Sequence, residues 1–128
     1  MLTLRLLPAH YVIWQLSGDT NTPAPVERGD FYCVIRTAHE LSGVCTPAHV
    51  PAGATVDAGW RCLEFHGPFD LTLTGIMVQV AQPLASAGVP IFTLATYNTD
   101  YLLVPHARLA DTHVALHNVG IRVVETTA

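Results

Sequence analysis

Residues 60–66, Trp60-Arg61-Cys62-Leu63-Glu64-Phe65-His66, alternate with a period of two, with Leu63 and Phe65 on one face. The change of period after this strand decides the fold. Gly67 and Pro68 end the alternation. Over residues 73–87 the apolar side chains Leu73, Ile76, Met77, Val80 and Leu84 recur at helical spacing instead, and Gly88 supplies a left-handed stop. Residues 91–97 alternate again, a turn is expected at Asn98-Thr99-Asp100, and residues 101–104 return as a strand. Pro105 then opens a second helix carrying Leu109, Val114 and Leu116. Gly120 closes it, and residues 121–124 form the last strand.

The order is therefore βαββαβ. Two helices on one face of an antiparallel four-stranded sheet is the ferredoxin-like plan, an α+β fold. Upstream, residues 3–7 and 11–16 alternate as two strands, with Val12, Trp14 and Leu16 on one side, and Pro8-Ala9-His10 reads as the turn between them. Residues 17–29 are polar, carry Pro23 and Pro25, and read as a loop. The run 30–36 (DFYCVIR) is a strand by its aromatic and β-branched content. A turn at residues 37–40 leads into a short returning strand at 41–45. Residues 47–59, with Pro47, Pro51, Gly53 and Gly59, read as an irregular connector. The chain thus divides into two units, 1–58 reduced and 59–128 complete. YCVIRTAHELSGV and FTLATYNTDYLLV, each strand, polar turn, strand, look like a degenerate repeat.

The chain has 128 residues, half of them hydrophobic and only 12% charged, with six arginines, no lysine and a net charge of −4. That composition is globular, and scattered arginines on a net acidic chain give no basic stripe for nucleic acid. No run approaches the ~20 apolar residues of a membrane span, and the start lacks the basic leader of a signal peptide. Cys33, Cys45 and Cys62 are odd in number, have no CxxC spacing and sit in apolar strand patterns, so buried reduced thiols and a cytoplasmic location are expected. A surface with so few charges, and a small sheet with free edges, predicts association with a second copy as a homodimer.

Two stretches carry binding chemistry. At Thr74-Gly75-Ile76 a glycine at a helix start would let a carboxylate approach backbone N–H groups, or would only permit helix and sheet to pack closely. Thr96-Tyr97-Asn98-Thr99-Asp100 offers five hydrogen-bonding side chains. Its carboxylate could hold an ammonium or guanidinium, or Asn and Asp could simply stabilise the hairpin. His113 and His117 stand at i and i+4, but without a third ligand no metal site is expected. There is no GxSxG elbow, P-loop or GxGxxG, so no catalytic set and no cofactor are expected.

The runs WRCLEFHGPFDLTLTGIM and PLASAGVPIFTLATYNTDYLLV resemble the second ACT domain of tandem-ACT proteins that include the CASTOR-type cytosolic arginine sensors. They are similar, more distantly, to the regulatory ACT pair of aspartate kinases. FYCVIRTAHELSGVCTP resembles the end of the first ACT unit. The resemblance implies amino-acid sensing without catalysis: backbone at Thr74, Gly75 and Ile76 contacting the ligand, Asp100 as a ligand carboxylate, and Thr96, Tyr97 and Asn98 beside it. It also implies that the turn His39-Glu40-Leu41-Ser42 faces the second unit's site, although those residues read equally as a solvated turn. Gly43 stands where relatives carry a larger apolar residue, which would enlarge or loosen the pocket. The expected function is a sensor of a free amino acid or similar zwitterion at the seam between units, regulating a protein partner or its own assembly. The alternatives are a protein-interaction module with a degenerate pocket and, less favoured, a small enzyme on the same scaffold.

Overall fold

A computed structural model describes residues 2–20, 29–66 and 75–125. Among these are seven strands and two α-helices: β1 (Thr3–Ser17), β2 (Cys33–Arg36), β3 (Glu40–Cys45), β4 (Thr55–Phe65), α1 (Ile76–Ser86), β5 (Phe92–Ala95), β6 (Asp100–Pro105), α2 (Leu109–Asn118) and β7 (Arg122–Glu125). Single 3-10 turns, Pro47–His49 and His106–Arg108, precede β4 and α2. The chain divides into a larger unit, Met1–Pro8 with Arg61–Ala128, and a smaller one, Ala9–Trp60. The first eight residues thus group with the C-terminal half.

In the larger unit the βαββαβ order is present as read, with one addition. The sheet runs β7-β1-β4-β6-β5. The start of β1 lies between the first and last strands of the plan, pairing in parallel with β7 from Thr3 opposite Arg122 to Leu6 opposite Glu125. The expected four-stranded antiparallel sheet is therefore five-stranded and mixed. β5 and β6 pair antiparallel, Phe92 opposite Leu103 and Ala95 opposite Asp100.

Alternation sorts the faces of this sheet. Leu4 and Leu6, Leu63 and Phe65, and Leu102 and Val104 are buried in one cluster with Val80 and Leu84 of α1 and Leu116 of α2. That face carries the helices. Val80 and Leu84 lie four apart, as a core-facing helical stripe requires. Pro83 stands inside α1, where its missing N–H removes one helical hydrogen bond. The helix ends on Gly88 at φ +73°, with Gly88 N–H donating to Ala85 and Val89 N–H to Leu84, so the glycine terminates it as the sequence predicts. Residue 73 of the expected helix lies outside the described residues.

Two expectations for the N-terminal part change. Pro8 is not a turn: β1 continues through it for 15 residues. Proline's fixed φ is compatible with extended backbone, and Pro8 falls between the segment paired to β7, which ends at Leu6, and the segment paired to β3, which begins at Val12. The connector at 47–59 is also more ordered than its prolines and glycines imply, because β4 begins at Thr55.

The smaller unit places β3 between β2 and β1, antiparallel to both. Trp14, Leu41 and Cys45 form its buried cluster, and Tyr11 meets Phe31 edge-on at 5.9 Å. Cys45 and Cys62 are buried as expected, whereas Cys33 on β2 is half-buried. Arg61, which reads as a solvated charge, is half-buried and donates to the Leu7 carbonyl at 3.2 Å.

Candidate functional site

Gly75 caps the N-terminus of α1 at φ +78°, a left-handed conformation that costs an L-residue roughly 1–2 kcal/mol. A Cβ built on it would meet nothing within 4 Å among the described residues. Among the described residues no close packing calls for this glycine, whereas its backbone conformation does. Among the described residues no side chain caps the helix, and Gln79 N–H donates at 3.0 Å to the Gly75 carbonyl. The N–H groups of the first turn, Ile76 among them, are the intrinsic orphans of a helix start and carry the positive end of its dipole. Ile76's side chain packs against the helix-side core, leaving its backbone as the polar offering. Thr74 lies outside the described residues.

The second motif folds into a hairpin loop at Thr96–Thr99. Thr96 N–H donates to the Thr99 carbonyl at 2.8 Å, and the Thr96 hydroxyl accepts from Thr99 N–H at 3.2 Å. Tyr97 is 82% exposed and Asn98 is exposed. Asp100, expected within the turn, is instead the first residue of β6. Its parity with Leu102 and Val104 puts it on the helix-bearing face.

Asp100 and Gly75 also belong to the same end of the larger unit. The Thr99 hydroxyl donates to the Phe65 carbonyl at 2.8 Å, so β6 starts where β4 finishes. At the other end Arg108, just past β6, donates to the carbonyls of Gly88 and Ala87, the end of α1. α1 therefore begins at the end where β6 begins, its ~16 Å of rise against ~20 Å of strand.

His39, Glu40, Leu41 and Ser42 belong to the smaller unit. The Thr37 hydroxyl accepts from the N–H groups of His39 and Glu40, and Ser42 donates to the Glu40 carboxylate. His39 is exposed, the solvated-turn arrangement. Leu41 is fully buried against Trp14 and Cys45, so its side chain is core and unavailable to a ligand. Gly43 neither enlarges nor loosens a pocket: an added Cβ would lie 2.4 Å from Trp14 Cζ2 and 2.5 Å from the Cys33 carbonyl oxygen. The indole occupies the space that glycine leaves.

Sequence reasoning missed a second set of polar residues. On the sheet face opposite the helices, Arg5, Glu64 and Tyr101 are neighbours on adjacent strands. They line a cleft of about 300 Å³ with Thr96, Asn98 and Thr99; neither Gly75 nor Asp100 is among its described lining residues. The Tyr101 hydroxyl donates to Glu64 Oε2 at 2.7 Å, and Arg5 Nε is 3.3 Å from Glu64 Oε1. Burial first, then the Glu64 bond, pushes the pKa of the Tyr101 hydroxyl up to about 12. The available signal was parity, since Arg5 and Glu64 sit at the polar beats of alternating runs; strand adjacency alone makes them one cluster. Among the described residues no group of three His, Cys, Asp or Glu side chains could hold a metal, and His113 and His117 remain a pair on α2.

A model of the ACT domain matches residues 55–118, half of the chain. A protein of Agobacterium tumefaciens solved by structural genomics is 36% identical, with a TM-score of 0.90 over 99% of this chain and 95% of that one. The chain belongs to the ACT-domain family. The ligand-free regulatory subunit of aspartate kinase from Thermus thermophilus shares 12% identity at a TM-score of 0.57, covering 88% of this chain and 93% of that one. Aspartate kinase from Clostridium acetobutylicum shares 8% at 0.63, covering 92% of this chain and 33% of the enzyme. At those identities the kinases share the fold. ACT domains are regulatory small-molecule-binding modules. Among the described residues no helix is long and apolar enough to cross a membrane.

Proposed function

We propose that this chain is a non-catalytic, cytoplasmic ACT sensor of the tandem, CASTOR-like kind, its smaller unit a reduced ACT unit, and that it binds a free amino acid in the larger unit. The observation that carries the reading is the uncapped start of α1. Among the described residues nothing lies over the left-handed Gly75 and no side chain caps the first-turn amides, and a carboxylate, Asp100, is on the same face and at the same end of the sheet. A ligand carboxylate would take the amides of the first turn, where the helix dipole favours negative charge. Asp100 would take the ammonium or a cationic side chain through charge-assisted bonds. Thr96, Tyr97 and Asn98 would border the ligand from the exposed hairpin. Binding would regulate by favouring one arrangement of the protein over another, which requires only a difference in affinity between the two.

Calorimetry and thermal shift against the twenty amino acids test the reading. A ligand at a hundred times its Kd stabilises the native chain by about 2.7 kcal/mol. Asp100→Ala is expected to abolish most of that gain. Silence from all twenty, or binding indifferent to the substitution, ends the proposal.

Exposed apolar side chains favour an interaction role beside sensing. Val78 on α1, and Val114 and Val119 on and just after α2, are each more than half exposed, on a helix layer whose α1 carries no charged residue. A homodimer would cover them, and light scattering at micromolar concentration decides that point: a strict monomer removes it.

A further inference from the structure

We propose that the cleft on the helix-free face of the larger unit is a second small-molecule site, one that takes a small monocarboxylate on the guanidinium of Arg5. It rests on neither Gly75 nor Asp100 and opens on the other face of the sheet, although the hairpin residues Thr96 and Asn98 border both sites.

Adjacency on the sheet builds the site. Arg5 on β1, Glu64 on β4 and Tyr101 on β6 occupy positions of one parity, opposite to the Leu4, Phe65 and Leu102 set that packs under the helices. Glu64 is engaged at both oxygens, Oε1 by Arg5 and Oε2 by the Tyr101 hydroxyl, and is 22% exposed. Its position is therefore fixed, and its charge is offset by the guanidinium. Arg5 is differently placed. Its Nε is buried and, although 3.3 Å from the Glu64 oxygen, lacks the direction of a hydrogen bond. The contact is electrostatic and sets Glu64 beside the Nε side of the guanidinium. Among the described residues no hydrogen bond involves its two terminal nitrogens, and the side chain is 40% exposed.

A guanidinium whose Nε faces Glu64 keeps its two terminal nitrogens as parallel N–H donors, the geometry that matches a carboxylate. The Glu64 charge beside it decides the class of anion. Arg5 and Glu64 sum to zero, so a single negative charge can be accepted at the free edge, whereas a dianion such as phosphate would carry its second charge against Glu64. The Asn98 amide lies along the same cleft and supplies a neutral donor, whereas the Thr96 hydroxyl is spent within its own turn, donating to the Thr99 carbonyl at 3.2 Å. About 300 Å³ admits a molecule of a few heavy atoms.

Nitrogen-edited NMR titration of the full chain with acetate, propionate and inorganic phosphate at constant ionic strength tests this, reading the Arg5 Nε–H and the amides of Thr96, Asn98 and Thr99. Saturable shifts with acetate and propionate, at least tenfold weaker with phosphate, are expected. Arg5→Gln should weaken propionate at least tenfold, while Asp100→Ala should change it less than twofold. Should Arg5→Gln fail to fold, Arg5→Lys keeps the charge without the fork and should still weaken propionate several-fold. Linear, unsaturated shifts, an affinity unmoved by both Arg5 variants, or phosphate binding as tightly as propionate would each overturn the proposal. Loss of amino-acid binding in Asp100→Ala with propionate binding intact separates this site from the one proposed above.

Discussion

Gly43→Ala should destabilise this protein by about 2–3 kcal/mol, although the same change in most strands is favourable. Replacing glycine by alanine in a strand ordinarily gains about 0.5–1 kcal/mol, because the unfolded chain loses freedom and the backbone dihedrals suit either residue. Gly43 has no positive φ, so backbone strain does not enter. Sterics reverse the sign. The new Cβ would lie 2.4 Å from Trp14 Cζ2 and 2.5 Å from the Cys33 carbonyl oxygen, each well inside ordinary contact. Trp14 is the cross-strand partner of Gly43 and is 3% exposed in a cluster with Leu41 and Cys45, so it has no room to swing away without unpacking them. Overpacking of this kind costs about 1–3 kcal/mol, and the upper part of that range applies because one obstacle is backbone. For a chain of this length the Tm should fall by roughly 6–15 °C. Urea denaturation provides the measurement: the midpoint should drop at unchanged slope. In a Trp14→Leu background the substitution should cost about half as much, since the indole is removed and the Cys33 carbonyl remains. A Gly43→Ala protein within ~0.5 kcal/mol of the parent would refute the reasoning outright.

Three further outcomes are expected. Gly75→Ala should cost about 1–2 kcal/mol from its left-handed φ alone, with no steric component and no rescue by trimming neighbours; equilibrium unfolding measures it, and a stability gain would show that the turn relaxes. Arg108→Ala should lose about 1–2 kcal/mol, because its guanidinium binds the carbonyls of Gly88 and Ala87 at the negative end of α1 as well as Asp111; amide exchange should quicken first at Val89 and Gly88, and protection left unchanged there would count against the role. The Tyr101 hydroxyl is raised to about 12 from its ordinary 10.0, so the folded state favours the neutral form. Its contribution is full below the ordinary value and is lost as pH climbs towards 12. Tyr101→Phe should flatten stability across that window, and the phenolate absorbance that the substitution removes should be the part that grows in only as pH climbs towards 12.

Local pattern was enough to define the elements of the larger unit and the glycine at the start of α1. Helical spacing from Ile76 to Leu84, glycines at 75 and 88, and alternation at 63–65 and 101–104 are read at their positions because a helix or strand repeats over a few residues. The same signals located Asp100 within a residue or two, though on the strand rather than in the turn. Which strand lies beside which was beyond them. Pairing in three dimensions put the start of β1 between β7 and β4, carried β1 unbroken through Pro8, and gathered Arg5, Glu64 and Tyr101 from three separate runs into one cleft. It also settled Gly43, whose reason is the indole of Trp14 on a different strand. Periodicity reports the face a side chain takes and is silent about the neighbour it meets there, because adjacency is set by the net packing of the whole sheet.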